Sequence, residues 1–310
     1  MSDKWVTVMG SFVADLAFRT KVLPAWGETI MGSDFKMGPG GKGSNQAVAA
    51  ARLGGKVSFI SKLGRDAFGD LARNLYKAEG IDTQFLYETT EHATGGAAII
   101  VDEVSGENAI VVVPGACFHV NTEDIDHAKP AIQNSSVFLT QLELSVPAVV
   151  YGLRAAKNLG VPTILNPAPA LPVPDEIFPL CDYLTPNESE AAKLVNLPVT
   201  NLKEVEKAAD VLLSRGVKNV VVTLGAHGAF VKNASVAKVV PAFNAGPVLE
   251  TTGAGDAFNG GFAIALSEGQ DIVVAARFGC AVAGVSVTRL GTAPSMPKRA
   301  EVDVLLKANP

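Results

Sequence analysis

The stretch SNQAVAAARLGGKVSFISKLGRDAFGDLARNLYKAEG, residues 44–80, alternates between two kinds of apolar pattern. An Ala-rich run, Ser44–Leu53, predicts a helix that Gly54 and Gly55 close. The short apolar run Val57–Leu63 predicts a buried strand, and Asp66–Glu79 predicts a second helix ending at Gly80. Strands of this length between helices of 10–15 residues are typical of an α/β fold with a largely parallel sheet.

The same alternation extends over most of the chain. The predicted strands are Val6–Phe12, Val137–Leu142, Val161–Leu165, Tyr183–Thr185 and Asn219–Leu224. The predicted helices are Pro147–Asn158, Leu202–Ser214, Ala257–Leu266, Ile272–Val287 and Val302–Lys307. We therefore expect one α/β domain over residues 1–310.

Two segments, residues 14–38 and 94–114, interrupt this rhythm. The second contains two β-rich runs, Ala97–Val101 and Ala109–Val113, around a turn at Ser105-Gly106-Glu107. Strands inserted in this way can form a small separate sheet, which would act as a lid or as an edge for pairing with a second copy. Two decorative hairpins are the alternative, and the pattern does not show whether the two segments pair with each other.

Composition narrows the class of protein. The 310 residues carry a net charge of −5, with 48% hydrophobic and 18% charged residues, which is ordinary globular composition. The negative balance argues against a general nucleic-acid binder. Cys117, Cys181 and Cys280 are widely spaced, which argues against a disulfide framework and favours the cytoplasm. The sequence shows no signal peptide and no apolar run long enough to span a membrane, so we expect no membrane partner.

The segment from Glu250 to Gly261, ETTGAGDAFNGG, carries the strongest chemical signal. Its glycine loop leads into an apolar helix, where free backbone N–H groups and the helix dipole attract an anion. Asp256 stands at the start of that helix, where it could take a proton from a hydroxyl next to a phosphate. Asp is also a common helix cap and Gly a common turn residue, so the motif alone leaves both interpretations open.

A second glycine-rich stretch, GPGGKGSNQ, covers residues 38–46. It matches GxGxxG but follows no clear buried strand, which weakens a dinucleotide interpretation. It is not a P-loop, because Gly43 follows Lys42 where Ser or Thr is required. A bare turn with Asn45 near a helix start suits a polyhydroxyl ligand, and a simple capped turn is the alternative.

Polar residues also follow several predicted strands, where ligands bind in open α/β sheets. They are Asp15, Glu143, Asn187, Glu188 and the segment Thr223–Gly228. Each alone is typical of a cap or loop, but together they indicate one crevice.

In combination these motifs resemble the ribokinase-like (PfkB) family of sugar kinases. The matching segments, in chain order, are residues 10–15 (GSFVAD), 40–47 (GGKGSNQA), 141–143 (QLE), 166–169 (NPAP), 185–188 (TPNE), 223–225 (TLG), 251–260 (TTGAGDAFNG), 287–291 (VTRLG) and 294–295 (PS). They cover nearly the whole chain, and their combination is far more specific than any single segment.

The resemblance implies a three-layer α/β/α domain with a mostly parallel central sheet and a small β-lid that forms a homodimer contact. It implies transfer of the γ-phosphoryl group of ATP to the 5-hydroxyl of a pentose, D-ribose before others, with Mg²⁺ and with K⁺ as a monovalent activator. A kinase for 2-deoxyribose, another sugar or a nucleoside is the alternative. A sugar- or nucleotide-binding sensor without catalysis is a third, more distant one.

Roles carried over from the family fall into four groups. Asp256 matches the catalytic base, and Gly253, Ala254 and Gly255 match the anion hole. The sugar-site positions are Asp15, Val13, Gly41, Lys42, Asn45, Glu143 and Asp256. The nucleotide-site positions are Asn187, Thr223, Gly225, Gly228, Gly255 and Cys280. The monovalent-cation loops are matched by Glu250, Thr252, Ser286, Arg289, Gly291 and Ser295, several of them through backbone carbonyls.

Three positions depart from the family pattern. Val13 stands where relatives that act on ribose usually carry an Asn that bonds sugar hydroxyls, and an unpaired buried hydroxyl there would cost about 1–3 kcal/mol. An apolar wall at this position favours 2-deoxyribose, unless ribose shifts or a water bridges the gap. Glu250 replaces an Asp in the cation loop, and its extra methylene is expected to change the position or preference of the cation. Cys280 replaces a His near adenine, where a small effect on nucleotide affinity is expected.

Overall fold

The computed structural model describes residues 5–310, which form 13 strands and ten α-helices. The strands are β1 (Trp5–Met9), β2 (Val13–Thr20), β3 (Asp34–Gly40), β4 (Lys56–Gly64), β5 (Leu86–Thr89), β6 (Thr94–Asp102), β7 (Asn108–Gly115), β8 (Val137–Thr140), β9 (Thr163–Leu165), β10 (Tyr183–Leu184), β11 (Asn219–Thr223), β12 (Ala229–Lys232) and β13 (Ala237–Val240). The helices are α1 (Lys42–Arg52), α2 (Ala67–Glu79), α3 (Thr122–His127), α4 (Lys129–Gln133), α5 (Val146–Asn158), α6 (Glu188–Val195), α7 (Leu202–Ser214), α8 (Ala254–Ser267), α9 (Ile272–Ser286) and α10 (Arg299–Ala308).

Nine strands form the central sheet, in the order β13-β12-β11-β10-β9-β8-β1-β4-β5. All neighbouring pairs from β11 to β5 are parallel. The pairs β11–β12 and β12–β13 are antiparallel, so β12 is the one strand of this sheet, within residues 5–310, that runs opposite to the others. Successive apolar side chains of a strand point to opposite faces of the sheet, and each face has its own buried cluster. Val8 belongs to the first cluster and Met9 to the second. Residues of α1, α2, α8, α9 and α10 fill the first cluster, and residues of α3 to α7 fill the second. The predicted α/β class with a mostly parallel sheet is confirmed.

Local signals fix the ends of the helices in the segment 44–80. The Asp66 side chain accepts a hydrogen bond from the Gly69 N–H, which satisfies one free donor at the start of α2. Gly80 ends the helix in the left-handed conformation, with φ of 66°, which Gly adopts at little cost.

The two interrupting segments meet in one small sheet of order β3-β2-β6-β7. β2 pairs with β3 antiparallel and with β6 parallel, so strands from residues 14–38 and 94–114 lie side by side. The predicted separate sheet is therefore confirmed, and it is mixed rather than purely antiparallel.

Close contact between α1 and α8 brings the two glycine-rich motifs together. A Cβ on Gly260 would lie 2.5 Å from the Ala49 Cβ and 2.9 Å from the Gln46 carbonyl oxygen. Only Gly permits this approach. Asp256 lies one turn before Gly260 on the same face of α8, so its side chain meets α1.

Some boundaries differ from the predicted ones. The first strand ends at Met9 rather than Phe12, because the chain turns at Gly10 and enters the small sheet at Val13. The strand that leads into the glycine-rich stretch 38–46 is β3. It belongs to the small sheet and not to the buried central sheet. Within residues 5–310, no helix has the length and apolar character needed to cross a bilayer.

Candidate active site

The N-terminus of α8 has the features that an anion site requires. Gly253 occupies the N-cap position with φ of 83°, and none of the side chains in residues 5–310 caps the helix through a hydrogen bond. Gly255 is exposed, and Gly253 and Ala254 are half-buried, so the first turn is accessible. Backbone donors and the helix dipole there can stabilise a phosphoryl group.

Asp256 lies in the first turn of α8 and is only 6% exposed. Its two carboxylate oxygens each accept one amide hydrogen bond. Asn45 Nδ2 donates to Oδ2 and Gln46 Nε2 donates to Oδ1, both at 2.9 Å. The carboxylate is thereby held at one angle beside the glycine loop, as a general base requires.

Asn45 has an unused acceptor at this site. Its Oδ1 atom is buried and has no hydrogen-bond partner among the described residues. A buried acceptor without a partner is costly, and a ligand hydroxyl would satisfy it. This fits the predicted role of Asn45 in binding a polyhydroxyl substrate.

Glu143 follows β8 and lies against the start of α1. Its Oε2 atom accepts from the Lys42 backbone N–H at 2.9 Å and from the Ser11 hydroxyl. Gly41 allows this arrangement, since its φ of 88° and the nearby backbone of Phe12 leave no place for a side chain.

Lys42 supplies a positive charge among carboxylates. Burial disfavours its charged form, but Asp256, Glu143 and Glu190 outweigh burial and raise the pKa of Lys42. Lys42 therefore stays protonated, and its ammonium group reduces the negative potential that an incoming phosphate would meet.

Asp15 projects from the small sheet toward the same place. Thr292 Oγ1 lies 3.3 Å from Asp15 Oδ2 and 3.1 Å from the Pro39 carbonyl oxygen, and it can donate to either. Burial raises the pKa of Asp15 to about 6. The hydrogen bond from the Thr292 hydroxyl lowers this pKa, whereas the negative charges of Glu143, Asp256 and Glu250 raise it further. Val13, 2% exposed, lies two residues earlier on the same face of β2.

The raised pKa of Asp15 predicts a pH-dependent cost to stability. Below about pH 4 the Asp15 carboxyl is protonated in both the folded and the unfolded chain. As the pH rises from about 4 to about 6, the unfolded chain loses this proton first, so the folded state is progressively destabilised. We expect Asp15→Asn to raise Tm by a few degrees at pH 8 and by about a third as much at pH 4.5, as measured by calorimetry. Glu107→Gln, an exposed change in the same sheet region, is the control. An Asp15→Asn effect that is equal at both pH values would contradict the assignment.

The predicted nucleotide-side residues lie together at the ends of β10 and β11. Asn187 forms an isolated bridge with Thr223, and Asn187 Oδ1 accepts from the Glu190 backbone N–H at 2.8 Å as the N-cap of α6. Gly225 and Gly228 follow with φ of 54° and 94°.

Cys280 differs from these residues in its surroundings. It belongs to the apolar cluster on α9, and burial raises the pKa of its thiol to about 12.

Glu190 is a site residue that the sequence analysis missed. It is 8% exposed, its Oε2 atom accepts from the Asn187 N–H, and burial raises its pKa. Its charge also acts on Lys42. The sequence does contain a signal for this contact: Glu190 follows the helix-capping Asn187 by three residues, which is the spacing of a capping box.

The predicted cation loops are brought together next to the glycine loop. The N–H groups of Leu249 and Glu250 donate to the Val287 carbonyl, and Glu250 Oε2 accepts from the Gly291 N–H at 2.8 Å. Ser286 and Ser295 are buried, with hydroxyls that donate to backbone carbonyls, whereas Thr252 is exposed. The Arg289 side chain pairs with Glu301 at the surface, so only its backbone could join a cation site.

The oxygen atoms of these loops are of the chemical type that binds a monovalent cation. Backbone carbonyls, two serine hydroxyls and one carboxylate are hard ligands of the kind that such ions accept. In residues 5–310, no group of three or more His, Cys, Asp and Glu side chains forms a metal cluster.

Comparison with known proteins agrees with this fold. The description "pfkB family carbohydrate kinase" matches residues 3–299. A ribokinase from Haemophilus influenzae is 41% identical over 96% of this chain and 97% of its own length, and a deoxyribokinase from Salmonella typhi is 35% identical over 98% and 99%. The structure of Arabidopsis thaliana ribokinase complexed with ribose and ATP superposes with a TM-score of 0.91 at 31% identity, covering 99% of each chain. The chain belongs to the pfkB family of carbohydrate kinases, phosphotransferases that act on a sugar hydroxyl.

Proposed function

We propose that the chain transfers the γ-phosphoryl group of ATP to the 5-hydroxyl of D-ribose. The observation that carries this proposal is the Asp256 carboxylate, which two amides hold beside an uncapped helix N-terminus. Base and anion site are then adjacent, as phosphoryl transfer to a hydroxyl requires. The ribokinase relative and the ribose- and ATP-bound neighbour support the choice of substrates.

In the proposed reaction, the 5-hydroxyl oxygen bonds to the γ-phosphorus while the bond from that phosphorus to the β–γ bridging oxygen breaks. The hydroxyl proton passes to a carboxylate oxygen of Asp256. The backbone donors at Gly253–Gly255 and the Lys42 ammonium stabilise negative charge on the phosphoryl oxygens. ADP and ribose 5-phosphate leave, and Asp256 returns its proton to water.

Sugar hydroxyls would meet Asp15, the free Oδ1 of Asn45, and Glu143, with the Gly41–Lys42 backbone in close contact. The nucleotide would lie along Asn187, Thr223, Gly225 and Gly228, with Cys280 behind it. Mg²⁺ bound with the nucleotide would neutralise phosphate charge, and its preference for oxygen ligands suits the Glu190 carboxylate. The loops around Glu250 and Gly291 would hold K⁺ and keep the start of α8 in place.

The small sheet β3-β2-β6-β7 would close over the sugar and exclude water, since it carries both Val13 and Asp15. We also infer that a second copy of this chain covers part of the sheet. Both faces of β7 expose apolar side chains, at Ile110–Val113, and Phe18 packs on Phe35 with ring centres 4.9 Å apart although both are exposed. Exposed apolar area of this kind typically marks an interface.

Val13 supports a second candidate substrate, 2-deoxyribose. Its apolar, buried side chain shares a face of β2 with Asp15 and offers no hydrogen bond to a hydroxyl. The deoxyribokinase relative at 35% identity is consistent with such a substrate.

ADP release with Mg²⁺ and K⁺ present, compared for ribose and 2-deoxyribose over a concentration series, tests the proposal. A higher kcat/KM for ribose is the expected result. A higher kcat/KM for 2-deoxyribose would overturn the choice of ribose and leave the role of Asp256 in place. Sugar binding without ADP release from any pentose would point instead to a non-catalytic sensor.

A further inference from the structure

A chain of buried amides ends on the Asp256 carboxylate. Gln46 Nε2 donates to Asp256 Oδ1 at 2.9 Å and to Asn166 Oδ1 at 3.1 Å, while Gln141 Nε2 donates to Gln46 Oε1 at 2.7 Å. Gln46 and Gln141 are both completely buried. The four side chains come from α1, α8 and the ends of β8 and β9, so the contacts tie both helices to the sheet.

The direction of each hydrogen bond is determined by the carboxylate. An ionised carboxylate only accepts, so Gln46 must present its NH₂ group to Asp256. Its carbonyl oxygen then faces Gln141, which must donate. Asn166 in turn accepts from Gln46 and donates from Nδ2 to the Thr185 carbonyl at 3.0 Å. Reversing one amide would place two donors or two acceptors together.

The packing around Gln141 leaves little freedom for another arrangement. A Cβ on Gly10 would lie 2.2 Å from Gln141 Oε1 and 2.6 Å from the Gly43 Cα. The Gln141 amide therefore rests directly on the backbone where β1 ends and α1 begins. Because all four side chains are buried, each of these hydrogen bonds is strong and costly to lose.

We propose that Gln46, oriented by Gln141, is the positioning residue that holds the Asp256 carboxylate at the angle needed to accept the substrate proton. The inference rests on the proposed function. Gln46 touches no substrate, and it acts only through Asp256. Lys42 of α1, Asp15 of β2 and Glu190 of α6 are the charged groups that also act electrostatically with Asp256.

Gln46→Met keeps the length of the side chain and removes its hydrogen bonds. Because a small misplacement of a reacting group is costly, we expect kcat for sugar phosphorylation to fall about 10–100-fold while KM for sugar and ATP changes only a few-fold. Gln141→Met should lower kcat less. The double variant should be no slower than Gln46→Met, because the two amides act as one unit.

Gln46→Glu tests the proposal through the pH dependence of kcat, which would not change if Gln46 only stabilised the fold. Two carboxyl groups within hydrogen-bond distance retain a proton to higher pH, so the acid limb of the kcat–pH profile should shift upward. Ser44→Ala, which alters a buried hydroxyl on the same helix outside the amide chain, should leave both kcat and the profile unchanged. Thermal unfolding of each variant verifies that the protein is folded.

Folded Gln46→Met with wild-type kcat, or Gln46→Glu with an unshifted profile, would overturn the inference while the proposed function stands. Additive losses in the double variant would overturn the role of Gln141 as the orienting partner. Absence of sugar-dependent ADP release from the unaltered chain would overturn the proposed function and the inference together.

Discussion

Asp256→Asn is expected to lower kcat by about 10²–10⁴-fold, the contribution typical of a positioned general base. The amide has nearly the same shape as the carboxylate, but it cannot take the hydroxyl proton at neutral pH. Asn45 and Gln46 would still fill the space around residue 256, so the sugar and nucleotide surfaces should persist. Steady-state ADP release gives kcat, and calorimetric titration gives the Kd of each substrate, which should change only a few-fold.

Asp70→Asn is the matched control, because Asp70 is an exposed carboxylate in the first turn of another helix, α2. It should retain wild-type kcat and Kd. If Asp256→Asn kept kcat within a few-fold of the wild type, Asp256 would not be the base. If it lost binding together with turnover, its role would be in holding substrate.

Val13→Asn is expected to raise the ratio of kcat/KM for ribose over 2-deoxyribose by about 5–150-fold, because a buried hydrogen bond to a substrate hydroxyl contributes about 1–3 kcal/mol to discrimination. Position 13 shares its face of β2 with Asp15, so a new amide would meet the sugar. With 2-deoxyribose the same amide would be buried without a partner. The ratio is measured with both sugars competing for one enzyme sample.

Val13→Thr tests the same idea with almost no change in volume. Its hydroxyl should move the ratio in the same direction but less far. A ratio that is unchanged in both folded variants would show that position 13 does not contact the part of the sugar that differs between the two substrates.

The central sheet and its long helices could be predicted because their signals are local. The predicted bounds of α7, Leu202–Ser214, coincide with the observed ones, and α2 differs only by its capping residue, Asp66. In both helices apolar residues recur at helical spacing and a polar cap precedes them. Such patterns need no knowledge of distant partners.

Short elements at the edges were not predicted. The strands β12 and β13 have four residues each, and α6 has eight mostly polar or small residues. These elements depend on pairing and packing with neighbours more than on their own pattern. The pairing of β2 with β6 is also a long-range contact, since about 80 residues separate them, and no local pattern encodes it.

The candidate site was predictable where the chemistry lies in one segment. The glycine loop and Asp256 are contiguous, so a helix N-terminus beside a carboxylate could be read directly. Gln46, Gln141 and Thr292 were not singled out for a role, because each becomes part of the site only through contacts made across more than 90 residues of chain. The sequence contains those side chains, but only the packing of α1 on α8 brings them to the carboxylates.

Single-turnover mixing of the chain with Mg²⁺, K⁺, ATP and D-ribose tests whether Asp256 serves phosphoryl transfer to the ribose 5-hydroxyl. ADP and sugar phosphate are measured together, and the position of the new phosphate is read by phosphorus–proton NMR. We expect equal amounts of ADP and ribose 5-phosphate from the wild type, and much slower formation of both from Asp256→Asn. ADP formed without sugar phosphate, or sugar phosphate formed at the wild-type rate by Asp256→Asn, would contradict it.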